Sequence, residues 1–214
     1  MSFDVIAPWY RALETIAFGG DLQRARIACL GEIETPRRAL IVGEGNGRFL
    51  RELVRRHPAI EVDCVDASER MLRLARQQIE RELPGSLNRI RFLQRDITSW
   101  APTQRAYDLV VTHFVLDCFP TGQVADVVGR LAGAATTKAI WLLADFCVPP
   151  DGFRRLHARA CLAAMYRFFQ VTAGIEATAL VDPSPFLCAR GFSLARQHFF
   201  RRGIVKSELW RRTS

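Results

Sequence analysis

Between Ala39 and Gly47 the chain passes from an unbroken apolar run, Ala39-Leu40-Ile41-Val42, into three glycines spaced two apart, Gly43, Gly45 and Gly47. Consecutive apolar residues suit a short parallel strand buried on both faces. Glycines at alternate positions force a tight turn, and their missing Cβ atoms let a ligand approach the backbone. Phe49, Leu50, Leu53 and Val54 then recur on one side of a helix. The start of that helix offers unpaired N–H groups to an anionic group. Strand, glycine turn and helix together open a nucleotide-binding βα unit.

The dinucleotide pattern G-x-G-x-x-G does not fit, because Arg48 stands at its third glycine. The order here is G-x-G-x-G, and two later segments extend it. Ile60-Glu61-Val62-Asp63-Cys64-Val65-Asp66 alternates and stops at an acid 19 residues after Gly47. A carboxylate at the end of a second strand can accept both ribose hydroxyls. Ile90 to Ile97 reads as a third strand that also closes on an acid, Asp96. On these motifs the chain resembles the class I S-adenosylmethionine (SAM) methyltransferases. The resemblance implies that Gly43, Gly45, Gly47 and Asp66 hold SAM, with Ala67 and Thr112 beside them. It also implies that Asp96 meets the adenine amino group and that Ile97 lies against the ring. One departure stands out: Ile41 occupies the place where the family has an acid, two residues before the first glycine. Glu44 sits inside the turn instead. Two roles stay open for it, holding the methionine amino group or standing solvated in an exposed turn.

Ahead of this unit, Ile6, Trp9, Leu13, Ile16 and Ala17 recur at helical spacing. Asp21 is expected to cap a second helix that carries Leu22, Ala25, Ile27, Ala28 and Leu30. The stretch from Phe3 to Tyr10 resembles the opening of the ubiquinone/menaquinone-biosynthesis methyltransferases, which implies a lid over the cofactor with Tyr10 in it. An aromatic ring that only packs its helix on the sheet is the alternative.

Past Asp66, Ser68 is read as the N-cap of a helix that buries Met71, Leu72, Ala75 and Ile79. Tyr107 to Phe114 is the fourth strand, whose carboxyl end delivers His113 and Phe114 to the crevice edge of an open α/β sheet. His113 is a candidate general base, and a ring that only packs is the competing reading. The acid-or-Asn, double-proline, aromatic pattern of nucleic-base amino methylases is absent here. Lys138 to Phe146 is the fifth strand, with Asp145 expected in an acceptor pocket. A helix from about Phe153 to Thr172 offers Phe169 to a lipophilic substrate. Its apolar stripe chiefly suits packing on a sheet, and a role at a membrane surface stays open. Phe192 to Phe200 and Gly203 to Trp210 form a hairpin around Arg201-Arg202. The wording Ala189-Arg190-Gly191-Phe192 and Gly203-Ile204-Val205 resembles the close of the quinone C-methyltransferases.

The fold expected is a Rossmann-like α/β sheet with strands 1–5 parallel, a C-terminal antiparallel hairpin and helices on both faces. Its 214 residues suit one domain: a helical lid over 1–34, a cofactor core over 35–149, and a helix and hairpin over 150–214. The start reads as lacking a secretory leader, and no apolar run spans a membrane. Six scattered cysteines read as reduced thiols in the cytoplasm, and no metal-ligand cluster is visible. The net charge of +8 is concentrated at the end, where seven basic residues from Arg190 to Ser214 face one acid, Glu208. Such an edge either solubilises or attracts polyanions. Aromatic single-strand-binding motifs are missing, so no specific nucleic acid is expected. The resemblance implies methyl transfer from SAM to a small, apolar or aromatic acceptor, leaving S-adenosylhomocysteine. An RNA methyltransferase using the basic end, or a non-catalytic SAM-binding module, are the alternatives.

Overall fold

A computed structural model describes residues 20–149 and 180–213, together with Gly152, Arg155, Leu156, Ala158 and Arg167. Its centre is the apolar run of the glycine unit. β1 (Arg38–Val42) has Ala39 to Val42 at most 3% exposed, so both of its faces are covered. Helices cover those faces, and neighbouring strands pair along both of its edges. β2 (Glu61–Asp66) and β4 (Tyr107–His113) both pair with β1 in parallel, so that Ala39 lies level with Val62 and Leu109. β3 (Ile90–Gln94) extends the sheet beyond β2, and β5 (Ala135–Phe146) beyond β4, again in parallel.

The last two strands, β6 (Phe192–Phe200) and β7 (Val205–Arg212), form the hairpin, and β7 inserts antiparallel between β5 and β6. The sheet order is therefore β3-β2-β1-β4-β5-β7-β6. Strand order reverses between β1 and β4, which is where open α/β sheets leave a crevice. The hairpin turn is tight enough that Arg201, Arg202 and Gly203 all take positive φ, at 48°, 56° and 90°.

Helices cover both faces. α1 (Asp21–Ile27), α2 (Arg48–Arg56) and α3 (Glu69–Glu82) lie on one, where Phe49, Leu50, Leu53, Leu72 and Ile79 pack on Ile41 and Val111. α4 (Thr121–Ala134) and the short α5 (Ser184–Ala189) lie on the other, where Val124, Val128, Leu131 and Leu187 pack on Leu40 and Trp141. Ser68 does cap α3, its hydroxyl accepting the Met71 N–H at 3.1 Å.

Several boundaries differ from the sequence reading. Gly20, not Asp21, is the N-cap of α1; Asp21 lies in the first turn and pairs with Arg24. α1 stops at Ile27, which is left half-exposed, while Arg26 is buried. β5 begins at Ala135 rather than Lys138, because Ala135 follows α4 directly and pairs with Tyr107 across a bulge. β7 continues to Arg212, whose guanidinium is held by the carbonyls of Ala132 and Ala135 at 2.8 and 3.0 Å. Among the described residues no helix is long and apolar enough to cross a membrane.

Candidate functional site

A crevice of about 210 Å³ opens at the carboxyl ends of β1, β2 and β4, above the glycine turn. The turn is built by positive φ at Gly43, Gly45 and Gly47 (68°, 69° and 87°), a region where side chains are disfavoured. The three glycines serve different ends. A Cβ on Gly43 would meet Val115 Cγ2 at 2.7 Å, and one on Gly47 would meet the backbone of Ala75 at 2.7 Å. A Cβ on Gly45 would meet nothing within 4 Å, because Gly45 faces the crevice itself. Two glycines thus let protein pack closely, and the middle one keeps the space open.

Asp66 ends β2 at the rim. Its Oδ2 accepts the Gly45 N–H at 3.1 Å and its Oδ1 accepts the Ser68 N–H at 2.9 Å, so the carboxylate is fixed between the turn and α3. Ala67 lies beside it on the crevice wall. Asp96 and Ile97 form the opposite wall after β3. The Oδ1 of Asp96 accepts the Thr98 N–H and hydroxyl at 2.8 and 2.7 Å, and these bonds hold its pKa below the ordinary range. Ile97 is buried and presents apolar surface. Phe114 closes the β4 end. It takes φ 55°, an uncommon value for an aromatic residue, secured by its N–H donating to Ala144 O at 2.7 Å. Its ring packs on Phe146 at 5.3 Å and lies 5.0 Å from the buried Arg26 guanidinium.

Glu44 corrects the expectation of an exposed turn acid. It is only 9% exposed, and its Oε1 accepts the N–H groups of Phe49 and Leu50 at 3.0 and 2.9 Å. It therefore caps α2 in place of a side chain at Gly47, which has none. Burial raises its pKa to about 7, against the lowering effect of those amides and of Arg26.

Gly47 and three other residues expected at the site, His113, Thr112 and Asp145, do not line the crevice either. His113 shares strand parity with Val111 and turns to the α2 face, where its ring meets Phe49 edge-on at 4.5 Å. Burial, and next Arg26, push its pKa well below the ordinary value, and among the described residues its Nδ1 finds no partner. Thr112 turns to the opposite face and accepts the Trp141 indole N–H at 2.8 Å. Asp145 is 1% exposed, accepts the N–H of Phe146 at 2.8 Å, and stands near the buried Asp117. Burial first, then the neighbouring Asp117, holds the Asp145 carboxyl far above its usual range. Tyr10 and Phe169 lie outside the described residues.

Sequence reasoning missed Arg26, which it did not single out in α1, and Val115, whose side chain explains Gly43. It also favoured core packing over cofactor contact for Met71, which is buried and lines the crevice as well. The basic end is less free than its count suggests. Lys206 is buried between Asp182 and Glu208, Arg196 is held by Glu32, and Arg212 by carbonyls.

Residues 39–136 match the family described as a methyltransferase domain. A malonyl-[acyl-carrier protein] O-methyltransferase of Halalkalibacterium halodurans is 28% identical over 134 residues, 61% of this chain and 46% of that protein. The chain thus spans less than half the length of this curated relative. Among solved structures, mitomycin 7-O-methyltransferase superposes with TM-score 0.68 at 18% identity, over 100% of this chain and 61% of that one. The Burkholderia thailandensis 1,6-didemethyltoxoflavin-N1-methyltransferase, solved with its substrate and S-adenosylhomocysteine bound, superposes with TM-score 0.70 at 13% identity. It is covered to 86%, against 99% of this chain.

Proposed function

From a methyltransferase domain at residues 39–136, set in a chain with the fold of the class I SAM-dependent methyltransferases, we propose that this protein transfers the SAM methyl group to a small-molecule acceptor. The observation that carries the reading is the meeting of Gly45, Asp66, Asp96 and Ile97 around one crevice. Gly45 leaves room for the cofactor backbone. Asp66, already oriented by two N–H groups, accepts the ribose hydroxyls. Asp96 accepts from the adenine amino group, and Ile97 lies against the ring.

SAM supplies an activated sulfonium methyl. The work left to the chain is alignment of the acceptor and exclusion of water. Phe114, fixed by its strained backbone and by Phe146, walls the β4 end where that alignment takes place, which favours an apolar or aromatic acceptor. A base at His113 is not part of this reading, because a buried imidazole pressed toward neutrality and turned to Phe49 is a poor proton acceptor. His113→Gln should then leave kcat within a few-fold; a loss of about 10²-fold or more would restore the base.

The reading is tested by titration calorimetry followed by mass analysis. S-adenosylhomocysteine should bind and NAD should not. Incubation with SAM and a panel of phenols, quinones, carboxylates, thiols and amines should give a product heavier by one methyl. Tight NAD binding without any response to S-adenosylhomocysteine would overturn the reading.

A further inference from the structure

On the α2 face, away from the residues that line the crevice, the fold brings two residues of one turn to a third that the sequence keeps far away. Cys29 follows α1, Glu32 ends the helical turn Leu30–Glu32, and His198 lies on the edge strand β6. One donor atom from each lies within 4.8 Å of the other two. His198 Nε2 and Glu32 Oε1 are 3.4 Å apart. Tetrahedral zinc with bonds of about 2.0–2.3 Å sets its ligand atoms about 3.3–3.7 Å from one another, so this pair already has the right separation.

The surroundings fit as well. Arg196 Nε donates to the other Glu32 oxygen, Oε2, at 3.0 Å, which orients the carboxylate and leaves Oε1 toward His198. Ser207, level with His198 on β7, places its hydroxyl 3.7 Å from the Cys29 sulfur. Cys29 is 2% exposed, whereas the side chains of Glu32 and His198 are 33% and 45% exposed. The sulfur forms the floor of the cluster and the other two its open mouth, which gives an ion a way in.

We propose that Cys29, Glu32 and His198 bind a zinc ion, with water in the fourth position. The donor set of thiolate, imidazole and carboxylate selects a borderline-soft metal over magnesium or calcium. None of the three residues lines the crevice, so the ion has no part in methyl transfer. It ties the turn after α1 to the edge strand, and so fixes the element that carries Arg26 to Phe114. The sequence showed no such cluster because Glu32 and His198 are 166 positions apart.

The test uses the full chain, freed of metal by a chelator and dialysed. Titration with zinc chloride should show one equivalent bound, and saturating zinc should raise the thermal midpoint. Cobalt(II) in its place should give a thiolate charge-transfer band that Cys29→Ala abolishes. His198→Gln, at an exposed position that does not threaten folding, should weaken zinc binding at least tenfold. Absence of a stoichiometric zinc isotherm would leave only a side-chain contact between His198 and Glu32 and overturn the proposal. So would zinc binding that both variants leave unchanged.

Discussion

Among the described residues, two of the regions that bury a carboxylate, at Glu208 and at Glu44, treat it in opposite ways. In the C-terminal hairpin, Lys206 donates to Asp182 Oδ1 at 3.1 Å and to Glu208 Oε1 at 3.0 Å. Gln197 and Trp210 complete Glu208, at 2.7 and 3.0 Å. Side chain answers side chain, and none of these residues lines the crevice. At the glycine turn, Asp66 and Glu44 are held by backbone N–H groups, and Asp66 borders a crevice. A buried charge answered by other side chains is part of the scaffold, since removing one partner strands the rest. A charge oriented by backbone at the rim of a cavity also faces the space where a ligand would sit. Burial alone does not separate the two cases; the identity of the partners does.

The largest effect should come from the hairpin. Lys206→Met leaves Glu208, 1% exposed, without its cation. Loss of one partner of a buried pair costs about 3–5 kcal/mol, to be read as a fall in the urea midpoint. Affinity for S-adenosylhomocysteine in the protein that remains folded should be unchanged. A loss below about 1 kcal/mol would erase the contrast, because the hairpin charges would then be no more structural than a surface pair.

Next comes the turn's own division of labour. Gly47→Ala forces a Cβ to within 2.7 Å of the Ala75 backbone at φ 87°. The left-handed conformation costs about 1–2 kcal/mol and the overpacking about 1–3 kcal/mol. Gly45→Ala carries only the first of these, since nothing lies within 4 Å, yet it should weaken S-adenosylhomocysteine binding more. Equal stability losses for the two variants would break the distinction between packing and ligand glycines.

Glu44 gives a pH test. Its pKa of about 7 in the fold exceeds the ordinary 4.5, so between those values the native state holds more proton than the unfolded chain. Its contribution to stability is therefore fullest below about pH 4.5 and is lost as pH rises toward about 7. At about 1.4 kcal/mol per unit the change is about 3 kcal/mol. Glu44→Gln keeps an oxygen for the Phe49 and Leu50 amides and cannot titrate. Relative to the parent it should gain stability from pH 5 to pH 8. A constant difference over that range would mean that Glu44 stays ionised in the fold.

The smallest effect is the most direct on function. Asp66→Ala should weaken S-adenosylhomocysteine binding by about 1–3 kcal/mol in calorimetry, with little change in the urea midpoint. A variant that binds as well as the parent would place Asp66 with the scaffold.

Much of this was legible in the order of residues. The run Ala39–Val42 demanded a doubly covered strand, and β1 is one. The spacing of Met71, Leu72, Ala75 and Ile79 gave the buried face of α3, and Ser68 its cap. Strand parity even held the answer for His113, which shares a face with Leu109 and Val111 and so turns to the helix side rather than the rim. That reading needs the sheet's coverage on both faces, and the two flanking helices had to be placed before it could be used.

By itself, then, the sequence determined what depends on nearest neighbours along the chain: strand and helix periods, the left-handed glycines, the acids that close β2 and β3. These are set by steric and alternation rules that operate over a few residues. Only the tertiary structure decided which charges are desolvated and what answers them. Glu44 became a buried cap because α2 folds back over it, and Arg26 reached Phe114 because α1 packs on β5. Cys29 met His198 because β7 slots between β5 and β6 and carries the edge strand over the first helical turn. Solvation and electrostatics act through space, and the residues that set them here stand from five positions apart, as Glu44 and Phe49 do, to 166 apart, as Glu32 and His198 do.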